Sequence, residues 1–412
     1  MRGAESYARS GIYCPVVQLV GGRRLWVVCA AVVAVAVLVP TVSRVDARYD
    51  SSDSLWANAM RSASGWQKPY DFAIFLTAGH DVLDGRDPYP DRQELARDVG
   101  SPYAYPPLLA LLVVPLTALP EHAASTYVPG VLWTLLLLAA TAGALALLGV
   151  HDWRCYPIAL LAPVTLEPVE FGAIGPLLLL LLAVAWKYRD RTGAAGAAAG
   201  GAVVLKLFLW PVFVWLAVTR RLRAAVVGVA AALALALASW AAIGFDGLRG
   251  YPHLLDRLSQ LEARNSYSAY AVARAVGLPG RAAQVLVVAA GLALLVLAWR
   301  AARDRRRSVV EQDRLSLTFA LAAALVLTPI LWLHYLVLLL LPIALARPRL
   351  SALWFVPLAL TVFEALDWYR GWPRGDGKAL ASVAVLVAVV FVSSLRGRAT
   401  PGRDAQAASA GA

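Results

Sequence analysis

The chain has 412 residues, 60% of them hydrophobic and 16% charged, with a mean hydropathy of +0.63. Those values exclude a soluble domain and describe a polytopic α-helical membrane protein; the apolar runs also lack the ten-residue alternation of a barrel strand. The net charge of +12 does not point to nucleic acid, because the arginines cluster in short loops between apolar runs, where they set topology and meet anionic lipid headgroups.

In chain order, residues 25–42 form the first run about long enough to cross a hydrocarbon core, and Arg23-Arg24 places the preceding residues 1–24 in the cytoplasm. The run lacks a clear small-x-small cleavage site and reads as a retained helix. An outer loop over residues 44–103 follows, carrying Asp71 in Lys68-Pro-Tyr-Asp-Phe-Ala-Ile-Phe. Three readings compete for this carboxylate: a general base, a helix N-cap or a solvated loop charge. Phe72, Phe75, Leu76, Val82 and Leu83 share one helical face, which predicts a helix lying in the membrane interface. Asp84 and Asp87, in Leu-Asp-Gly-Arg-Asp-Pro-Tyr, read as turn and capping residues.

Between residues 103 and 187 the apolar runs are interrupted by Pro106-Pro107, Pro115, Pro120, Pro157, Pro163, Pro168 and Pro176, so broken helices are expected, with their number open. Arg189 and Arg191 precede, and Arg220, Arg221 and Arg223 follow, an apolar stretch over residues 192–218 that is too long for one span and carries Gly200-Gly201 and Pro211. Two short helices meeting at the outer face near Lys206 fit it best. A span over 224–243, an outer polar stretch over about 244–281, and spans near 283–299, 315–328, 331–346, 351–366 and 379–395 bring the count to about twelve. Their inside loops are marked by the arginines of residues 303–307, by Arg347 and Arg349, and by Arg396 and Arg398. The division is thus a single membrane domain over 25–395 and a disordered cytoplasmic tail over 396–412. Cys14, Cys29 and Cys155 stand singly without metal-ligand spacing.

This topology gathers Asp71, residues 103–107, Glu167, Glu170, Lys206, Asn265 and residues 328–334 on the outer face. Ionisable groups beside apolar helices are costly and usually functional or paired. Lys206, in Val-Val-Leu-Lys-Leu-Phe-Leu-Trp, must snorkel to an interface or meet an anion. His334 reads either as a structural, hydrogen-bonded histidine or as a partner of Asp71.

The stretch Tyr70-Asp-Phe-Ala-Ile-Phe-Leu-Thr-Ala-Gly-His-Asp-Val-Leu-Asp-Gly-Arg-Asp-Pro-Tyr89 strongly resembles the opening motif of glycosyltransferase family 87. The resemblance continues through Tyr103-Ala-Tyr-Pro-Pro-Leu, Lys206, Arg220-Arg221-Leu-Arg, Asn265-Ser-Tyr-Ser with Arg274, and Thr328-Pro-Ile-Leu-Trp-Leu-His-Tyr335, which looks like the family's Ser-Pro-x-Ser-Trp-x-His-His element. It departs at Phe171-Gly-Ala-Ile-Gly-Pro176, where the family often carries Gly-Gln-x-Asn, and at Leu331, where the family has serine. The family comprises GT-C-type transferases that use polyprenyl-phosphate sugars, among them actinobacterial α-mannosyltransferases and an arabinofuranosyltransferase.

The resemblance implies a GT-C fold in the cell membrane with an extracytoplasmic active site. Its donor would be a polyprenyl-phosphate sugar, mannose ahead of arabinofuranose, and its acceptor a lipid-linked glycan. Asp71 would be the base and His334 its assistant; Lys206, with Arg264 or Arg274, would hold the donor phosphate, and Tyr105, Glu170, Asn265 and Trp332 would line the substrate pocket. A single inverting displacement needs one carboxylate and no covalent intermediate, so no cofactor is expected. Nor is a metal, since a monophosphate donor carries little charge and the chain has no Asp-x-Asp or His/Asp cluster suited to a divalent ion. Rossmann and Walker patterns are absent. A transporter or flippase, or a non-catalytic scaffold, are the rival readings; no internal repeat supports the first.

Overall fold

The computed structural model describes residues 68–89, 102–123, 126–263, 266–358, 360 and 376–394. The expected first span over 25–42 and the tail over 396–412 lie outside the described residues, as do Arg264 and Asn265.

Helix α1 (Tyr70–Leu83) opens after Pro69, whose fixed extended backbone cannot continue a helix toward the N-terminus. Its apolar face is taken up inside the protein. Phe72, Phe75 and Leu76 are buried, Phe72 stacking on Trp133 at 4.8 Å between centroids and Phe75 meeting Tyr105 edge-on at 5.0 Å. The face expected to lie in lipid headgroups therefore packs on protein, and only its end, Leu83, is exposed. Asp84 and Asp87 do take turn positions: Asp84 ends α1 and pairs with Arg86 at 2.7 Å, and Asp87 accepts the Tyr89 backbone N–H at 2.9 Å.

Helix α2 (Pro107–Thr117) packs along α1, starting at a proline that fills the first helical position where no N–H is needed. A two-residue antiparallel ladder, His122–Ala123 with Thr126–Tyr127, leads into α3 (Val128–Leu147). The proline-rich region then breaks as its composition predicts, into α4 (Cys155–Leu161), α5 (Pro163–Phe171) and α6 (Gly175–Lys187). Gly172 closes α5 at φ 73°, and its carbonyl accepts the Trp133 indole N–H at 2.7 Å.

Helix α7 (Thr192–Leu205) runs unbroken through Gly200-Gly201; the break comes at Lys206, in extended backbone at φ −149° and ψ 102°. The glycines serve packing instead. A Cβ on Gly196 would stand 2.7 Å from the Ala224 carbonyl of α9 (Leu222–Ala242), and one on Gly200 would meet the Gly228 carbonyl, so α7 and α9 touch backbone to backbone as small-residue membrane helices do. After Lys206 come a 3-10 turn, Leu207–Leu209, and α8 (Pro211–Val218).

The amphipathic α10 (Tyr251–Glu262) and the short α11 (Ala269–Ala275) precede α12 (Gly280–Arg303), which packs on α13 (Val309–Leu327). The chain then forms a 3-10 segment, Leu333–Leu339, continued by α14 (Leu340–Ala346), a second 3-10 segment, Ala352–Leu358, and α15 (Asp376–Ser394).

Three helices, α3, α9 and α12, are long and apolar enough to cross a bilayer, and six shorter apolar helices accompany them among the described residues. Leu233 and Leu237 of α9, with Leu286 and Leu292 of α12, are exposed on an apolar surface suited to lipid. The chain is thus a polytopic membrane protein, and the described residues do not confirm the count of twelve spans. At one end of α6, α7 and α13 lies a buried ion cluster. Arg221 donates two hydrogen bonds to the Asp313 carboxylate, each 2.8 Å, Arg189 adds a third at 3.0 Å, and Arg221 also pairs with Asp190 at 2.7 Å. The opposite ends of the same three helices lead to Glu170, Lys206 and Thr328, at the functional cavity.

Candidate active site

A cavity of about 810 Å³ is lined by Asp71, Glu167, Glu170, Glu262, Lys206 and His334 among its ionisable residues, and by Tyr105, Tyr335 and Trp332 among its aromatic ones. Its size falls in the ordinary range for a small-molecule site. Apolar residues line it as well: Leu207 and Trp210, both exposed, and Leu255 and Leu258 of α10.

Asp71 stands in the first turn of α1, half-buried, and makes no side-chain cap for the helix. The N-cap reading is thereby removed. Burial raises its carboxyl above the usual carboxylate range, and Glu167 adds to the rise, while His334 and Lys206 act against it. All three are therefore near enough to be felt. Lys206 sits at the break between α7 and the 3-10 turn, its Nζ 3.8 Å from the centroid of the Tyr105 ring and 5.1 Å from that of Tyr335. The two phenols are tied by a 3.1 Å hydrogen bond between their hydroxyls. An ammonium over two aromatic faces keeps its charge partly compensated.

His334 is buried at the start of the Leu333–Leu339 segment, its ring 4.3 Å from Tyr335. A Cβ on Gly175 would collide with the His334 carbonyl, so the start of α6 fixes this backbone by close approach. Its Nδ1 lies 3.1 Å from Oε2 of Glu167, on α5. Trp332 meets Tyr267 edge-on at 6.3 Å, and Tyr267 donates its backbone N–H to the Leu331 carbonyl at 2.6 Å.

The structure thus brings together Asp71, His334, Lys206, Tyr105, Glu170 and Trp332. It places Arg274 elsewhere. That side chain is absent from the cavity lining: it stands in the last turn of α11, where its Nη1 donates to the Leu278 carbonyl just beyond the helix. Glu167, Tyr335 and Glu262 line the cavity without having been assigned a role from sequence. Glu167 carried a signal, an acid in Pro163-Val-Thr-Leu-Glu-Pro-Val-Glu amid apolar residues; Tyr335 ends the matched Thr328–Tyr335 element, where its position in place of the second histidine was the available signal. No group of three or more His, Cys, Asp or Glu able to hold a metal occurs among the described residues.

The chain is 26% identical over 387 residues to the polyprenol-phosphate-mannose-dependent alpha-(1-2)-phosphatidylinositol mannoside mannosyltransferase of Mycolicibacterium smegmatis, covering 81% of this chain and 87% of that protein. It is 28% identical over 345 residues to the protein of the same description from Mycobacterium tuberculosis, covering 77% of this chain and 75% of that one. No solved structure matches it. The sequence model of glycosyltransferase family 87 matches residues 103–333, more than half of the chain. With the cavity geometry and this match in hand, the chain belongs to glycosyltransferase family 87 and is a membrane-embedded glycosyltransferase.

Proposed function

We propose that the protein transfers a mannosyl residue from polyprenyl-phosphate mannose to a lipid-linked glycan of the phosphatidylinositol mannoside or lipomannan type, on the extracytoplasmic face of the cell membrane. The observation that carries this reading is the shared cavity: a half-buried carboxylate, Asp71, and a half-buried ammonium, Lys206, line one volume whose exposed lining residues include apolar Leu207 and Trp210. A lipid-phosphate sugar has the same division of chemistry. The names of the two mycobacterial relatives supply the same donor and acceptor classes for those proteins.

In this scheme the acceptor hydroxyl gives its proton to Asp71 as its oxygen bonds to the sugar's anomeric carbon. The bond from that carbon to the phosphate oxygen breaks in the same displacement, and a β-linked donor gives an α-linked product. Lys206 meets the charge that gathers on the departing phosphate, the place where a preformed cation lowers the barrier most. His334 touches the substrate beside Asp71. The residues present supply base and counter-charge between them, so the scheme uses no cofactor. The outward orientation is supported by the Arg-rich ends of α6, α9 and α13, which lie opposite the cavity.

Purified protein in lipid nanodiscs, given radiolabelled polyprenyl-phosphate mannose and phosphatidylinositol mannosides, tests the proposal. An α-linked mannosyl product supports it. Transfer from polyprenyl-phosphate arabinose with none from the mannose donor would replace the sugar, and transfer from neither would remove the function.

A further inference from the structure

Glu167 has no task in the scheme above, yet it is the most deeply buried carboxylate lining the cavity, at 8% exposure. It lies in α5, between Leu166 and Pro168, where a carboxylate is costly unless something repays its desolvation. Its Oε2 stands 3.1 Å from His334 Nδ1, with the two side chains 10% and 6% exposed.

The chemistry of that pair fixes the imidazole. A carboxylate can only accept, so a neutral ring facing it through Nδ1 carries its proton there and leaves a lone pair on Nε2. Nε2 is buried and meets no hydrogen-bond partner among the described residues. Leaving a buried polar nitrogen unmatched costs about 1–3 kcal/mol, a cost that a bound hydroxyl would remove. The Nδ1 contact is at hydrogen-bonding distance without completing a well-angled bond, the looseness usual in such pairs before substrate arrives.

We propose that Glu167 is a positioning residue, which holds His334 with its proton on Nδ1 so that Nε2 accepts a hydrogen bond from a sugar hydroxyl bound beside Asp71. This rests on the reading of Asp71 as the base of a glycosyl transfer. A carboxylate is needed because an amide in its place can rotate its NH2 toward the ring and stabilise the other tautomer. Carboxylates that orient metal-ligating imidazoles change affinity or activity by about 10–100-fold when removed, and that range serves as the guide here.

The test is a double-mutant cycle on the full chain in nanodiscs, with Glu167→Gln, Glu167→Ala, His334→Ala and both combinations, scored by kcat/KM for acceptor and by thermal unfolding. Glu167→Gln should lower transfer about tenfold and Glu167→Ala up to about 100-fold, while either change made on His334→Ala should cost less than about threefold. A structural role would not produce that loss of effect. Equal losses in both backgrounds, or no loss from Glu167→Gln with unfolding unchanged, would overturn the inference. Should Glu167→Ala fail to fold, the isosteric Gln variant alone carries the cycle. Near-wild-type transfer by Asp71→Asn would instead overturn the reading beneath it, so the two failures are told apart.

Discussion

At the scale of single residues, the site depends on a carboxylate held in a place that disfavours its charge. Burial raises Asp71 above the ordinary carboxylate range, with His334 and Lys206 opposing the rise. A base must be ionised to accept a proton, so transfer should climb as pH rises through this raised value and fall away below it. The acid limb of the pH–rate profile should therefore lie above about 3.9, the value of a free aspartate, and a limb at or below that value would contradict the environment described for Asp71. Lys206 acts on the other partner. Lys206→Gln keeps much of the stem and removes the cation, so kcat should drop about 100-fold or more, the range for one preformed charge-stabilising donor, and a change confined to KM would show that Lys206 serves binding alone. Lys206 could be picked out in the sequence because a lysine in a hydrocarbon run has few destinations. That it rests on Tyr105 and Tyr335 could not, since residues 105 and 335 meet only through the fold.

At the scale of elements, breaks and small residues set the geometry. The sequence placed two short helices around Lys206, and the structure has them; it also suggested that Gly200-Gly201 interrupts the first, and the helix passes straight through. A glycine in an apolar run signals either a break or a close crossing, and only the partner helix decides which. Gly200→Val would force α7 away from the Gly228 carbonyl, which is backbone and cannot step aside. The expected result is a lower unfolding temperature, by a ΔΔG of about 1–3 kcal/mol, with weakened transfer because Lys206 lies at the end of the displaced helix; unchanged stability would show that the crossing is looser than described. Helix α1 illustrates the opposite limit. Its apolar face was legible, but whether lipid or protein covers it was not, because Trp133 lies far along the chain.

At the scale of the whole molecule, arginine distribution and cavity position support the proposed orientation. The buried cluster of Arg189, Arg221 and Asp313 marks one end, and the cavity marks the other. Single cysteines at exposed Tyr70 and at exposed Arg305 should label from opposite sides of sealed vesicles, with Tyr70 reached from outside; labelling of both from one side would end the shared-face argument. The number of spans was hard to read, because proline-broken pieces such as α5 and the 3-10 segments carry the same apolar composition as whole helices. The account as a whole stands on Asp71 taking a proton in a glycosyl transfer, and the most direct measurement is the turnover of purified Asp71→Asn against the native chain with radiolabelled polyprenyl-phosphate mannose. The amide keeps size and shape and removes a charge that burial disfavours, so unfolding should occur at the same temperature or slightly higher. Transfer should fall by about two to four orders of magnitude, roughly 3–5 kcal/mol in barrier. A folded Asp71→Asn protein that turns over near the native rate would contradict the mechanism.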